Sequence, residues 1–401
     1  MATSLSESAP RGIAPNGPIA QRQILIQQPV SVHAAPIAQI PAESPSESSR
    51  IVAVDQEETS LTGPSRVVVS SRGVTVANLV EGYDSLLLDL DGVVYLGSKA
   101  VDHAVESINL AQRQGVKIGY VTNNASRRPE AIAQQLQGFG LSALPNDVVG
   151  SARAAVKMLA TRIPAGSKVL VVGGEGLIFE VREAGFTVVD SASELPVAVI
   201  QGFSPEVGWR QLAEASYAIQ RGAIWIATNQ DWTIPREDGI APGNGTLVSA
   251  VHTAVGILPD FAGKPFRPIF ESAIEQLGVK KPLMIGDRID TDIKGGVGFG
   301  IDTACVMTGI ATRKELLAAK PDERPTYILG DLKELFQDYP KPKITRSGVK
   351  FGREEVQLIG TKVLLVSGDP RSLNALRAAC QVIWNSPIPI YGLDVEAALY
   401  E

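Results

Sequence analysis

The chain of 401 residues carries 43 acidic against 37 basic side chains, a net charge of −6, with 44% apolar and 20% charged residues. That balance is ordinary for a soluble globular protein able to bury a large core, and it speaks against a general nucleic-acid binder, which would present a basic face. Two cysteines, Cys305 and Cys380, with no CxxC and no His/Cys cluster, speak against a zinc centre or a disulfide framework.

Residues 1–74 differ in texture from the rest. They hold eight of the 26 prolines and no aromatic residue, the first being Tyr83. Such a stretch buries too little apolar surface to offset the entropy of ordering, so it reads as a disordered Pro/Ala/Ser-rich extension, with short extended patches at Gln23–Ile26 and Val67–Val69. A transit peptide and a tether for a partner both stay open, although Glu7, Glu43 and Glu47 count against the former. No apolar segment follows Arg11 as a secretory leader would require, and no apolar run reaches the ~18 residues of a membrane span. A cytoplasmic protein is the expectation.

From about Asp84 short apolar runs alternate with helical periodicity. Ser85–Leu90 and Val116–Val121 read as strands, Val101–Gln114 and Arg128–Gly138 as helices. The alternation continues with strands at Lys168–Val172, Thr187–Val189, Ala198–Gln201 and Ala223–Ala227 and helices at Gly176–Ala184 and Trp209–Arg221. Helix Pro268–Leu277, strand Pro282–Ile285 and helix Asp290–Phe299 come next. Buried strands between helices predict an α/β fold with a doubly wound parallel sheet. Beyond the basic Lys341–Arg346 stretch the pattern changes to strands at Val349–Phe351, Glu355–Ile359 and Lys362–Val366, with a helix over Leu373–Trp384. That predicts a small C-terminal α+β module without visible chemistry.

Ligands of an open α/β sheet collect at the carboxyl ends of its strands, and four polar clusters fall there or beside it. The run Leu86–Leu88 leads into Asp89-Leu90-Asp91-Gly92, two like-charged carboxylates whose repulsion a cation would relieve. Val121 is followed by Thr122-Asn123-Asn124-Ala125-Ser126, a turn whose amides could seat an anion. Gly263-Lys264-Pro265 precedes a helix, and Ile285 leads into Gly286-Asp287-Arg288-Ile289-Asp290-Thr291-Asp292. Each cluster alone could be a polar turn or helix cap; their combination and order point to phosphoryl chemistry.

These four strings together resemble the haloacid dehalogenase superfamily, specifically its class IIA phosphatases, the p-nitrophenylphosphatase, phosphoglycolate phosphatase and glycerol-3-phosphate phosphatase group. The segments Ala227-Thr228-Asn229-Gln230-Asp231 and Pro242-Gly243-Asn244-Gly245 share in that resemblance, which is strong over about residues 80–340 and weaker in the tail. It implies that Asp89 is the nucleophile that forms an aspartyl-phosphate and Asp91 the acid and base. It implies Mg²⁺ held by Asp89, Asp91 through its main-chain carbonyl, and Asp287, with Asp292 supporting from behind. Gly92, Thr122, Asn123, Asn124 and Lys264 would surround the phosphate. Asp290 is expected to cap a helix, and Asn229, Asp231 and Asn244 are weaker candidates for shaping the substrate site. A second acid at Asp91 favours an oxygen leaving group over halide, which departs unprotonated.

Spacing supplies the architecture. Asp91 and Thr122 are 31 positions apart, room for one helix and one strand, whereas Thr122 and Lys264 are 142 apart. The surplus predicts an inserted domain over the strand ends. The expected organisation is a Rossmann-like core at 80–160 and 258–340, an α/β cap at 161–257 and the tail module at 345–401. A capped mouth favours a small phosphorylated metabolite as partner, glycerol 3-phosphate or 2-phosphoglycolate by resemblance, with a homodimer through the cap also implied by analogy. The alternatives are a phosphotransferase of the same fold and a non-catalytic regulatory or scaffold module. Gly173-Gly174-Glu175-Gly176 does not match a dinucleotide-binding loop and reads as a tight turn.

Overall fold

A computed structural model describes residues 78–236 and 238–401; the expected N-terminal extension and its two extended patches lie outside them. Six parallel strands form the core sheet, in the order Tyr327–Leu329, Asp302–Val306, Pro282–Gly286, Ser85–Leu88, Lys117–Thr122 and Val148–Gly150. The central strand pairs Ser85 with Pro282 on one side and Lys117 on the other. Its residues alternate between two apolar layers. Leu86 and Leu88 join Ile118, Tyr120, Ile108 and Leu136 on one face, while Leu87 and Met284 meet Val156, Leu159, Ile269 and Phe270 on the other. A strand buried on both faces needs no polar alternate residue, which is why its sequence is a continuous apolar run.

The inserted domain has its own five-stranded parallel sheet, ordered Asp260–Phe261, Ile224–Ala227, Ala198–Gln201, Lys168–Val172 and Thr187–Val189. Its last strand lies beyond the expected boundary at 257, because Asp260 and Phe261 pair with Ile226 and Ala227. One face packs under helices Trp209–Gln220 and Asn244–Val255. The opposite face, through Val169, Ile200 and Ile226, shares an apolar cluster with helix Ser151–Ala160 of the core. Chain entry and exit are adjacent, joined by the Arg162–Asp260 ion pair.

Helix Ser151–Ala160 and the strands Val148–Gly150, Asp302–Val306 and Tyr327–Leu329 were not among the expected elements. The helix expected over Asp290–Phe299 is divided: a π-helical turn spans Ile289–Ile293 and the α-helix begins at Lys294. The Ile293 amide reaches back five residues to the Arg288 carbonyl, a wide turn of the kind that gathers at functional sites.

The C-terminal module is a sheet of five strands, Lys343–Ile344, Gly348–Phe351, Glu354–Ile359, Lys362–Ser367 and Asp394–Val395, antiparallel except for its last pair. Helix Leu373–Trp384 covers it and buries Ala375, Leu376, Ala379 and Cys380 in a cluster that also takes in Leu316, Leu317 and Ile328 of the core. Arg377 donates to the Ile328 carbonyl on the edge strand and pairs with Glu334. No helix among the described residues is long and apolar enough to cross a membrane.

Candidate active site

Asp89 follows directly on the central strand, and its amide still donates to the Ile285 carbonyl at 2.9 Å. The backbone then turns sharply. The Leu90 carbonyl accepts from the amides of Val94 and Tyr95, and the Gly92 amide donates to the Tyr95 carbonyl. Gly92 occupies a left-handed conformation with φ +83°, and a Cβ there would collide with the Asp287 carboxylate, so glycine serves both conformation and space.

Lys264 is 2% exposed, yet its ammonium has a full set of acceptors. Nζ donates to Asp89 Oδ1 at 2.5 Å and to the Val121 carbonyl at 2.9 Å, and lies 2.7 Å from Asp292 Oδ1. Burial would pull its pKa down; Asp292 and Asp89 outweigh that and hold it above the usual ammonium range. Asp292 is itself fully buried, and burial pushes it up against the pull of Lys264. Its other oxygen accepts from the Arg288 amide at 3.1 Å. The absence of a side chain at Gly286 makes room for it.

Asp287 lies at the tip of the neighbouring strand. Oδ2 accepts from the Ile310 amide at 2.8 Å, while the buried Oδ1 has no hydrogen-bond partner among the described residues. Carboxylate oxygens of Asp89, Asp287 and Asp292 all lie within 4.8 Å of one another. Burial, and then the charge of Asp89, push Asp287 up to about 6. Asp91 is also raised to about 6, by the surrounding protein first and Asp89 second, although its exposure at the mouth tempers the effect of burial. Four acids against one lysine, with Asp287 Oδ1 buried and outside any hydrogen bond or ion pair among the described residues, form a donor set suited to an oxygen-preferring divalent cation.

The Thr122 hydroxyl accepts from the Asn124 amide at 3.1 Å, and the Asn124 side chain accepts from Ser126. Asn123 works as a strap. Its amide group accepts from the Lys264 amide at 2.8 Å and donates to the Lys264 carbonyl at 3.1 Å and to Asp231 at 3.2 Å. The Asn123 carbonyl in turn accepts from Asn229 at 2.8 Å, and Asn244 donates to the Asn229 carbonyl at 2.8 Å. The side chains of Asn123 and Asn229 therefore bridge inserted domain and core, while Asn244 braces Asn229 from within the inserted domain. Asp231 reaches across to Arg288, 3.6 Å away. Asp290 is not a helix cap: it forks with the Arg288 guanidinium at 2.9 and 3.1 Å.

The loop Thr308–Ile310 was not among the expected residues. The Thr308 hydroxyl donates to the Gly92 carbonyl at 2.6 Å, and Gly309 sits so close to Asp287 that a Cβ would strike its carboxylate. Its sequence signal is a hydroxyl-glycine pair after the apolar stretch Thr303–Val306, on the same edge as the two acid clusters. The turn at Gly174-Glu175-Gly176 is a docking point, where the Gly176 amide donates to the Ser126 carbonyl at 3.1 Å.

Comparison with known proteins places the chain among phosphatases of one family. The profile of the haloacid dehalogenase-like hydrolases matches residues 86–187, and that of the HAD-hydrolase-like group residues 261–335. A D-glycerol 3-phosphate phosphatase of Mycobacterium tuberculosis is 42% identical over 261 residues, 65% of this chain and 73% of that protein. An acid sugar phosphatase of Staphylococcus saprophyticus is 36% identical over 65% of this chain and all of its own length. Among solved structures, a glycerol phosphate phosphatase of M. tuberculosis in complex with magnesium superposes with a TM-score of 0.72 at 36% identity, covering 80% of this chain and 94% of the other. A p-nitrophenyl phosphatase of Archaeoglobus fulgidus gives 0.59 at 31% identity, covering 63% of this chain and 98% of the other.

Proposed function

The chain belongs to the haloacid dehalogenase-like hydrolases, and from that membership we propose that it hydrolyses small phosphomonoesters with Mg²⁺, through an aspartyl-phosphate on Asp89. The observation that carries this reading is the placement of Asp89 at a strand tip, bonded to Lys264 and with its carboxylate within 4.8 Å of that of Asp287. Asp89, the Asp91 carbonyl and Asp287 would hold the ion, which when bound supplies charge neutralisation for the phosphoryl oxygens.

In the first half-reaction a carboxylate oxygen of Asp89 attacks phosphorus and the ester P–O bond breaks. Asp91 gives its proton to the departing alkoxide. A group raised to about 6 keeps a protonated share close to neutrality, as a general acid requires. In the second half-reaction Asp91 takes a proton from water, whose oxygen attacks phosphorus, releasing phosphate and restoring Asp89. Lys264 balances the charge of Asp89 and Asp292, while Thr122 and the backbone amides of the turn after it, with Gly92, would face the phosphoryl oxygens.

Glycerol 3-phosphate is the leading substrate, with 2-phosphoglycolate next. The support is the 42% identity to a D-glycerol 3-phosphate phosphatase, together with a structural likeness that extends beyond the 63% of the chain shared with the p-nitrophenyl phosphatase. A cytoplasmic setting and a homodimer through the cap belong to the same reading; exposed Trp209 and Tyr217 offer apolar surface for the latter. The test is phosphate release from glycerol 3-phosphate, 2-phosphoglycolate and p-nitrophenyl phosphate. Turnover should require Mg²⁺ and vanish with a chelator; metal-independent turnover, or none with any ester, would overturn the reading.

A further inference from the structure

The loop that clamps Asp287 leads into an arginine held by the C-terminal module. The Ile310 amide donates to Asp287 Oδ2 at 2.8 Å and the Ala311 amide to the Asp287 carbonyl at 3.0 Å. Thr312 then starts the short helix Arg313–Leu317, its hydroxyl accepting from the Glu315 amide at 3.2 Å. Arg313 directs its guanidinium away from the active site. Nε donates to the Leu399 carbonyl at 2.8 Å, Nη2 to the Pro370 carbonyl at 2.7 Å and Nη1 to the Arg371 carbonyl at 3.2 Å. All three acceptors belong to the C-terminal module, and no carboxylate forms an ion pair with Arg313 among the described residues. Burial pulls its pKa below the ordinary value, and the more distant charge of Asp369 only partly offsets that, so its direct partners are carbonyls alone.

We propose that Arg313 is a positioning residue through which the C-terminal module fixes the loop Gly309–Thr312 and, with it, the metal-facing orientation of Asp287. The rigid planar fork of arginine suits this task, since it binds several carbonyls in one geometry and is always charged. The free oxygen of Asp287 faces its neighbours only because Oδ2 is held by Ile310 and by close approach of Gly309. Only Thr312 separates Ala311 from Arg313, so slack at the arginine would pass directly into that clamp. The inference rests on the reading of Asp287 as a Mg²⁺ ligand.

The test compares Arg313→Ala and Arg313→Lys with Arg324→Ala. Arg324 ties the same module to the core through the Trp384 and Ala319 carbonyls, away from the Asp287 loop. Mg²⁺ affinity is measured by calorimetry, amide exchange at Ile310 and Ala311 by mass spectrometry or NMR, and Tm for each. Loss of partners behind a ligand typically weakens metal binding 10–100-fold. Arg313→Ala should weaken Mg²⁺ by roughly tenfold and speed exchange at both amides, with Arg313→Lys intermediate. Arg324→Ala should lower Tm and leave Mg²⁺ affinity within about twofold of wild type, well short of that range. Wild-type affinity and exchange in both Arg313 variants would overturn the proposal, as would equal weakening of Mg²⁺ by Arg324→Ala. If Arg313→Ala does not fold, Arg313→Lys decides. A wild-type chain that binds no Mg²⁺ would overturn the functional reading, while the exchange rates at Ile310 and Ala311 still judge the role of Arg313.

Discussion

Asp91 and Asp89 are chemically alike and two positions apart, yet their surroundings assign them different work. Asp89, the proposed nucleophile, accepts from Lys264 at 2.5 Å, whereas Asp91, the proposed acid and base, stands at the mouth, pushed up to about 6. Replacing Asp91 by Asn should therefore lower kcat on glycerol 3-phosphate by about 10²–10⁴-fold, the range of general acid catalysis. The loss should be smaller on p-nitrophenyl phosphate, because nitrophenolate departs without a proton; steady-state rates on the two esters check this. Gly309→Ala places a methyl against the Asp287 carboxylate and should weaken Mg²⁺ binding at least roughly tenfold, measured by titration. The grouping of the acids was legible in the sequence because two acid clusters at strand ends recur in order with the Thr122 turn and Lys264, although each cluster alone could have been a polar turn. Gly309 was not, since a glycine announces nothing until its neighbour is known in space.

Among elements, the strands and helices of core and cap were legible where apolar runs were continuous. Lys168–Val172, Thr187–Val189 and Ala198–Gln201 end where the sequence placed them. Helix Ser151–Ala160 was not read: it is short and alanine-rich, burying Ala152, Ala154, Ala155 and Val156, and only Arg153 and Lys157 mark its polar side. Nor could the π-turn be anticipated, because it follows from the Arg288 carbonyl and amide engaging Ile293 and Asp292. Asn123 is one of the polar ties that cross between the domains. Asn123→Ala would orphan groups on Lys264 and Asp231 and should cost about 1–3 kcal/mol, read as a lower denaturation midpoint. Gly176→Val tests the docking point, since a Cβ there falls 2.5 Å from the Arg127 carbonyl. It should raise KM with little change in far-UV circular dichroism.

On the scale of the molecule, the break at Lys341–Arg346 and the three main strands of the tail were visible in advance, but its attachment was not. The module completes an apolar cluster with Cys305, Leu316, Leu317 and Ile328, while the A. fulgidus p-nitrophenyl phosphatase matches only 63% of this chain with 98% of its own. A chain ending at residue 340 would expose those side chains, each worth about 1.5–3 kcal/mol when buried. Size-exclusion chromatography should show aggregation, or Tm should fall sharply. The Arg162–Asp260 pair carries a last consequence. Because the inserted domain leaves and rejoins the chain at one stitched point, it can be exchanged like a cartridge. On the proposed function, evolution or an engineer could rewrite which ester is admitted while the aspartates and lysine of the core stay untouched.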